Sequence, residues 1–247
     1  MKTLLLYPST TVSSSFFYSF KSSLALTLPY FHLLAGDLTY LPVFDDVAIV
    51  CSDDSGVTVI EAESDLDICR LAGDPTHDVE SFFQLMPNTS HEEMPMPILT
   101  VQYTKFSGGG VAVGISTHHT AMDAWGLWQF IDIWAKMSRD GIVPSGVAPI
   151  HGRAVIVYLC KEETKKERLI AFSPNQPKAR SNRLQVYRAD FGWGIPGLEA
   201  LVSLSSDGEV VMSAGKEKDS VQITVGLKED MEAFIHAFEG GLNSLKQ

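Results

Sequence analysis

Val111-Ala112-Val113-Gly114-Ile115-Ser116-Thr117-His118-His119-Thr120-Ala121-Met122-Asp123 reads as a strand that stops at a tight turn and hands the chain to a helix. In the strand, Val111, Val113, Ile115 and Thr117 point one way, and Ala112, Gly114, Ser116 and His118 the other. The helix is predicted from about Ala121 to Met137, with Trp125, Trp128, Ile131 and Trp134 as its apolar side. Leu99–Phe106 is the hairpin partner of the strand, reached through Gly108-Gly109-Gly110. Those glycines join two strands and no helix follows them, which argues against a phosphate cradle. A sheet therefore delivers His118 and His119 to its end, where a side chain can project into a cleft. An imidazole that titrates near neutrality can take the proton of a hydroxyl attacking a carbonyl. Asp123, four residues on, either touches that imidazole or turns inward and holds the loop. A metal-dependent hydrolase built on His118, His119 and Asp123 is a competing reading. Adjacent residues at a strand end diverge, however, and no third ligand stands nearby.

Working outward, residues 4–7 are predicted as a strand. Ser14–Leu28 shows helical spacing in Phe16, Phe17, Phe20, Leu24 and Leu28, with Ser13 or Ser14 as N-cap and Pro29 at its end. Leu33–Leu38 turns into a strand. Val47–Cys51 and Val57–Glu61 are expected to pair with each other through the turn Asp53-Asp54-Ser55-Gly56. Residues 62–97 read as loops with short helices. Beyond a Gly- and Pro-containing stretch at 138–150, Lys161–Arg168 is a charged, helix-prone run. Arg183–Ala189 is expected as a strand running into Asp190-Phe191-Gly192-Trp193-Gly194. Glu209–Ser213 and Val221–Val225 form a last strand pair, and Asp230–Phe238 a short helix.

The chain has 247 residues, 45% of them hydrophobic and 20% charged, a composition that can bury a sizeable core. The net charge of −11 opposes binding to nucleic acid or to an anionic membrane surface. Three widely spaced cysteines, Cys51, Cys69 and Cys160, with no Cys-x-x-Cys, suit a reducing compartment. The apolar run at Leu4–Tyr7 stops at Pro8 and is too short for a signal segment. Lys21 and several serines interrupt the stretch from Phe16 to Leu34, which reads as an amphipathic helix, not a membrane span. The sequon Asn88-Thr89-Ser90 is discounted, because such sequons arise often by chance and no secretory signal accompanies it. A soluble, cytoplasmic monomer is expected.

With these residues in view, the chain resembles the plant BAHD acyltransferases, which move acyl groups from coenzyme A thioesters to alcohols or amines. Gln102-x-Thr104-x-Phe106, Gly109-Gly110, Gly114, His118-His119, Asp123 and Phe130-Ile131-x-x-Trp134-Ala135 match that family's central block in order. Upstream, Ser22-Ser23-Leu24 through Leu34-Ala35-Gly36-x-Leu38 is similar to its helix-and-turn. Downstream, Asp190-Phe191-Gly192-Trp193-Gly194 matches its second signature. The overall pattern is closest to flavonoid and anthocyanin glucoside acyltransferases, many of them malonyl transferases.

The resemblance implies an α/β fold of two similar domains related to chloramphenicol acetyltransferase, with the active site in a tunnel between them. It implies His119 as the general base and Asp123 as a support of the loop. Asp190, Phe191, Gly192, Trp193 and Gly194 would form a structural loop away from the chemistry. The co-substrate would be acyl-CoA, with malonyl-CoA as the narrower expectation, and the acceptor a phenolic or flavonoid glucoside, with no permanent cofactor or metal. A thioester is already activated, so the task is to hold donor and acceptor, remove one proton and stabilise an oxyanion.

The sequence also departs from the family. It begins without the first strand and lacks the Tyr-Phe-Gly-Asn block between the two signatures. The expected organisation is an N-terminal acyltransferase domain over 1–140, a linker over 141–157 and a partial C-terminal domain over 158–247. A non-catalytic, truncated family remnant or partner-binding protein is therefore the alternative to an active transferase. Ala124 stands where the family has glycine, which costs about 1 kcal/mol if the backbone φ is positive there. Ile195-Pro196 replaces the family's Lys-Pro.

Overall fold

A computed structural model describes residues 1–11, 13–52, 54–88, 94–142, 186–202, 209–227 and 231–244. In chain order the elements are strand β1 (Lys2–Tyr7), helix α1 (Ser14–Thr27), a 3-10 segment (Leu28–Ala35), β2 (Asp37–Leu41), β3 (Asp46–Val50) and β4 (Thr58–Ser64). Then come α2 (Ile68–Gly73), α3 (Val79–Gln84), β5 (Met96–Pro97), β6 (Leu99–Phe106), β7 (Val111–Thr117) and α4 (Ala124–Asp140). A 3-10 turn (Val186–Arg188), β8 (Leu198–Leu201), β9 (Glu209–Ala214), β10 (Val221–Gly226) and α5 (Met231–Ser244) complete the described part. Of these residues, 1–142 and 186–202 form one compact unit, and 209–227 with 231–244 form another.

The first unit is built on a five-stranded sheet in the order β4-β6-β7-β1-β8. β4 runs parallel to β6, and the other neighbours are antiparallel. Every residue of β7 is buried, because helices cover both faces of the sheet. Leu5, Tyr7, Val101, Tyr103, Val111, Val113 and Ile115 pack with α1 and α4. Leu4, Leu6 and Ala112 pack on the opposite face with Ile68 and Leu71 of α2, Phe82 of α3, and Leu85 and Met86 just beyond it. The alternation in β7 thus separates two cores. A second, three-stranded sheet has the order β3-β2-β5.

Local signals mark several of the helix ends. Ser13 is extended and its hydroxyl accepts from Ser15 N, capping α1. α1 ends at Thr27, and Pro29, which has no N–H to continue the ladder, opens the 3-10 segment. The φ of +68° at Gly141 ends α4 in a left-handed cap.

Four expectations need correction. Val47–Cys51 and Val57–Glu61 do not pair with each other. β3 pairs with β2 and β4 with β6, since a turn-forming Asp-Asp-Ser-Gly stretch joins separate sheets as readily as it closes a hairpin. In the described part of the strand expected over 183–189, Val186–Arg188 is a 3-10 turn and Ala189 is in no strand. The edge strand beside β1 lies further on, at Leu198–Leu201. α4 begins at Ala124, because Asp123 serves as its cap, and Trp125 is 54% exposed and outside the apolar side. The last helix extends past Phe238 to Ser244. The 161–168 run and Cys160 lie outside the described residues.

In the second unit β9 and β10 pair antiparallel, with Met212 opposite Ile223. Among the described residues no helix is long and apolar enough to cross a membrane.

Gly114 shows how tightly the sheet is covered. A Cβ there would lie 2.2 Å from the Leu85 carbonyl oxygen. Gly114→Ala is expected to lower stability by about 2–3 kcal/mol, read as a lower urea midpoint with an unchanged slope.

Candidate active site

The turn between β7 and α4 is fixed by its backbone. His118 N donates to Ile98 O (2.8 Å), and Ala121 N donates to His118 O (3.2 Å). Thr120 N donates to Nδ1 of His118 (3.3 Å), so that ring folds back over the turn. The Met1 ammonium donates to Thr117 O (2.6 Å), and Thr117 N donates to Met1 O (2.9 Å), which ties β7 to the start of β1. His118 is half-buried, whereas His119 is exposed. The imidazole that the sequence singles out therefore stands outside the packing, on a turn held by the central strands.

Asp123 takes the second of its two expected orientations. Its backbone is extended and its Oδ1 accepts from Gly126 N at 2.8 Å. That satisfies one of the free N–H groups at the start of α4 and places a negative charge at the positive end of the helix dipole. Ala124 is the first helical residue and is not among the positive-φ positions, so the methyl cost considered for it does not arise. His118, His119 and Asp123 belong to no cluster of metal-binding side chains among the described residues.

The second motif sits at the other end of the same helix. α4 has 17 residues, a length of about 25 Å. Oδ1 of Asp190 accepts from both Gly192 N and Gly194 N at 2.9 Å. Those two glycines have φ of +96° and +90°, a region that favours residues without a Cβ. Near the C-terminus of α4, Arg139 Nη1 lies 3.5 Å from Asp190 Oδ2, and the Ser138 hydroxyl donates to Phe191 O at 3.0 Å. The Tyr7 hydroxyl donates to Ala189 O at 2.7 Å. Burial, with Asp190 adding to it, raises the Tyr7 pKa well above the usual phenol value.

The loop's aromatic side chains enter the core between α1, α4 and the sheet. Phe191 lies 4.9 Å from Trp134 in an edge-on contact, and Trp193 stacks 5.8 Å from Phe16. Trp193 also meets Tyr7 at 5.5 Å and Tyr103 at 5.7 Å. Asp190–Gly194 thus packs in the first unit, with β1 and α4. The anchors Tyr7, Ser138 and Arg139 were not read from the sequence, because each pairs with a residue more than 50 positions away. The glycine pattern of the motif was the one local signal.

The model of the Transferase family matches residues 1–182. The chain is 34% identical over 139 residues to phenolic glucoside malonyltransferase 1 of Bemisia tabaci, covering 55% of this chain and 30% of that protein. It is 30% identical over 173 residues to malonyl-CoA:anthocyanidin 5-O-glucoside-6''-O-malonyltransferase of Arabidopsis thaliana, covering 68% and 38%. The chain thus spans about a third of the length of these relatives. Its α/β fold is similar to the crystal structure of vinorine synthase, with a TM-score of 0.68 at 14% identity over 94% of this chain and 87% of that one. With the family model matching well over half of its residues, this chain belongs to the Transferase family of BAHD acyltransferases.

Proposed function

We propose that the chain serves acyl transfer from a coenzyme A thioester, malonyl-CoA in particular, to a hydroxyl of a phenolic glucoside, with His119 as general base. The observation that carries this reading is the exposed His119 on a turn fixed by the bonds of His118, Ala121 and Met1. In the proposed step, His119 takes the acceptor's hydroxyl proton as that oxygen attacks the thioester carbonyl. The tetrahedral oxyanion collapses, the carbon–sulfur bond breaks, and the imidazolium returns the proton to the leaving thiolate. The relatives' names supply the malonyl donor and the glucoside acceptor. Asp123 holds the turn through α4 and does no proton transfer in this reading. Asp190, Phe191, Gly192, Trp193 and Gly194 act as scaffold. Cys51 and Cys69 are free thiols, which suits a reducing cytoplasm.

The test is to incubate purified chain with malonyl-CoA and phenyl β-glucoside and to quantify malonylated product by mass spectrometry. His119→Ala is expected to lower kcat by about 10²–10⁴ while the melting temperature stays put, since the side chain is outside the core. Turnover that survives His119→Ala would sink the assignment. A melting temperature raised by coenzyme A, with no turnover at all, would favour the non-catalytic reading.

Asp123→Ala is expected to cost about 1 kcal/mol as a lost cap, and Asp123→Ser to recover most of it. Thermal unfolding measures both.

Asp190→Ala leaves two loop N–H groups and Arg139 without their shared carboxylate. We expect a loss of about 1–3 kcal/mol and a red-shifted tryptophan emission as Trp193 becomes wetter. Asp190→Asn retains the accepting oxygen and is expected to restore the emission.

A further inference from the structure

A cleft of about 490 Å³ opens beside the aromatic cluster. Ser13, the cap of α1, Phe17 of α1, Glu61 and Glu63 of β4, and Tyr103 and Lys105 of β6 line it. Glu61 is in register with Tyr103, and Glu63 with Lys105, so these side chains leave one face of the sheet. Leu99 pairs with Thr117 at the His119 end of the sheet. Tyr103 lies four residues along β6, about 13 Å away from that end.

Tyr103 carries the argument. It is 1% exposed, and its hydroxyl has no hydrogen-bond partner among the described residues. Its ring is well packed, 5.3 Å from Phe17 and 5.4 Å from Phe20. A phenylalanine would pack the same way and avoid the penalty of a buried, unmade hydroxyl. Burial and the nearby Glu61 carboxylate raise the phenol pKa to about 12, so at neutral pH it stays protonated and offers both an O–H donor and an acceptor oxygen.

The surrounding charges narrow the ligand. Glu61 and Glu63 stand against Lys105, while Lys21 sits 5.4 Å over the ring of Phe17. The lining itself carries two carboxylates and one ammonium, and Lys21 adds a second cation beside the Phe17 wall, so the mixed charges favour no single ion. They do supply acceptors and donors side by side, with the half-buried Phe17 ring as an apolar wall. That set suits a neutral ring bearing several hydroxyls. We propose that the cleft is a binding site for a neutral polyhydroxylated ligand of the sugar class, separate from the 118–123 turn, with the Tyr103 hydroxyl as its buried hydrogen-bonding group.

The experiment titrates the full chain with methyl β-glucopyranoside, and with spermidine as a cationic comparison, following backbone amide shifts by NMR. Saturable shifts at Ala62, Glu63 and Lys105 are expected with the glucoside. Tyr103→Phe is expected to weaken binding about tenfold, the weight of one buried hydrogen bond, with an equal or higher melting temperature. Glu61→Gln, at the exposed rim, is expected to weaken it too without touching the core. His119→Ala is expected to bind as the parent does, which keeps this site distinct from the proposed catalytic one. The proposal is overturned if no saturable shift occurs at the solubility limit of the glucoside. Tighter binding of spermidine than of the glucoside would overturn it as well, as would a Tyr103→Phe variant that binds unchanged.

Discussion

The burial of Trp134 between two helices and a loop is the contact on which the rest of the first unit depends. Its indole N–H is shared between Phe20 O (3.2 Å) and the Ser23 hydroxyl (3.0 Å) of α1. Its ring lies 4.4 Å from Phe20 and 5.6 Å from Phe130. A large ring that is fully buried and also satisfied as a donor fixes the distance and rotation of α1 against α4. That pair covers one face of the sheet and forms the socket into which Phe191 and Trp193 insert. Loosening it would disturb the Asp190 loop and the turn at the head of α4 together, although the two are separated by the length of the helix.

The two sequence motifs thus share a frame and differ in kind. At the N-terminus of α4, Asp123 caps the helix and leaves His119 exposed. At its C-terminus, Asp190 turns its oxygens inward on its own loop and toward Arg139. Exposure separates them: an acid–base group needs access to a reacting hydroxyl, whereas Phe191 is 2% exposed and packed on rings. A conformational argument separates them as well. The second motif needs positive φ at Gly192 and Gly194, while no residue named in the 118–123 turn has one. Positive-φ glycines and buried rings mark a scaffold here, and ordinary backbone with an exposed imidazole marks the candidate for chemistry.

How far the sequence could be read follows from the range of each interaction. The β6–β7 hairpin, the cap at Ser13 and the course of α1 were legible, because spacing and capping act within a few residues, whereas the cap at Asp123 was not, since the apolar spacing runs on past it. The partners of β3 and β4 were not, since two strands flanking a turn carry no local label for the sheet each will join. Leu198–Leu201 escaped notice because four residues beside a Gly-rich loop have too little pattern. Its place is set by pairing with Leu6 and Leu4, almost 200 positions away. At the candidate site, His119 and Asp123 were legible from the strand-to-helix transition. Ser138, Arg139 and Tyr7, which hold the second motif, and the unpartnered hydroxyl of Tyr103 emerge only once distant segments meet.

The departures from the family pattern can be weighed in the same terms. Ala124 costs nothing visible, because the first residue of a helix has ordinary φ and a methyl there packs against the core. Ile195 is 54% exposed, so the loss of a lysine at that place removes a charge from the surface and leaves the fold alone. Pro196 keeps its buried position, and Gly197 follows with a 2.7 Å bond to Leu6 O, against Pro8, where a Cβ would come within 2.8 Å of the ring. The residues after the second motif therefore preserve what the fold requires, a close approach to β1, and vary where only solvent is met. That is the pattern expected if the loop's duty is to close the sheet on β8.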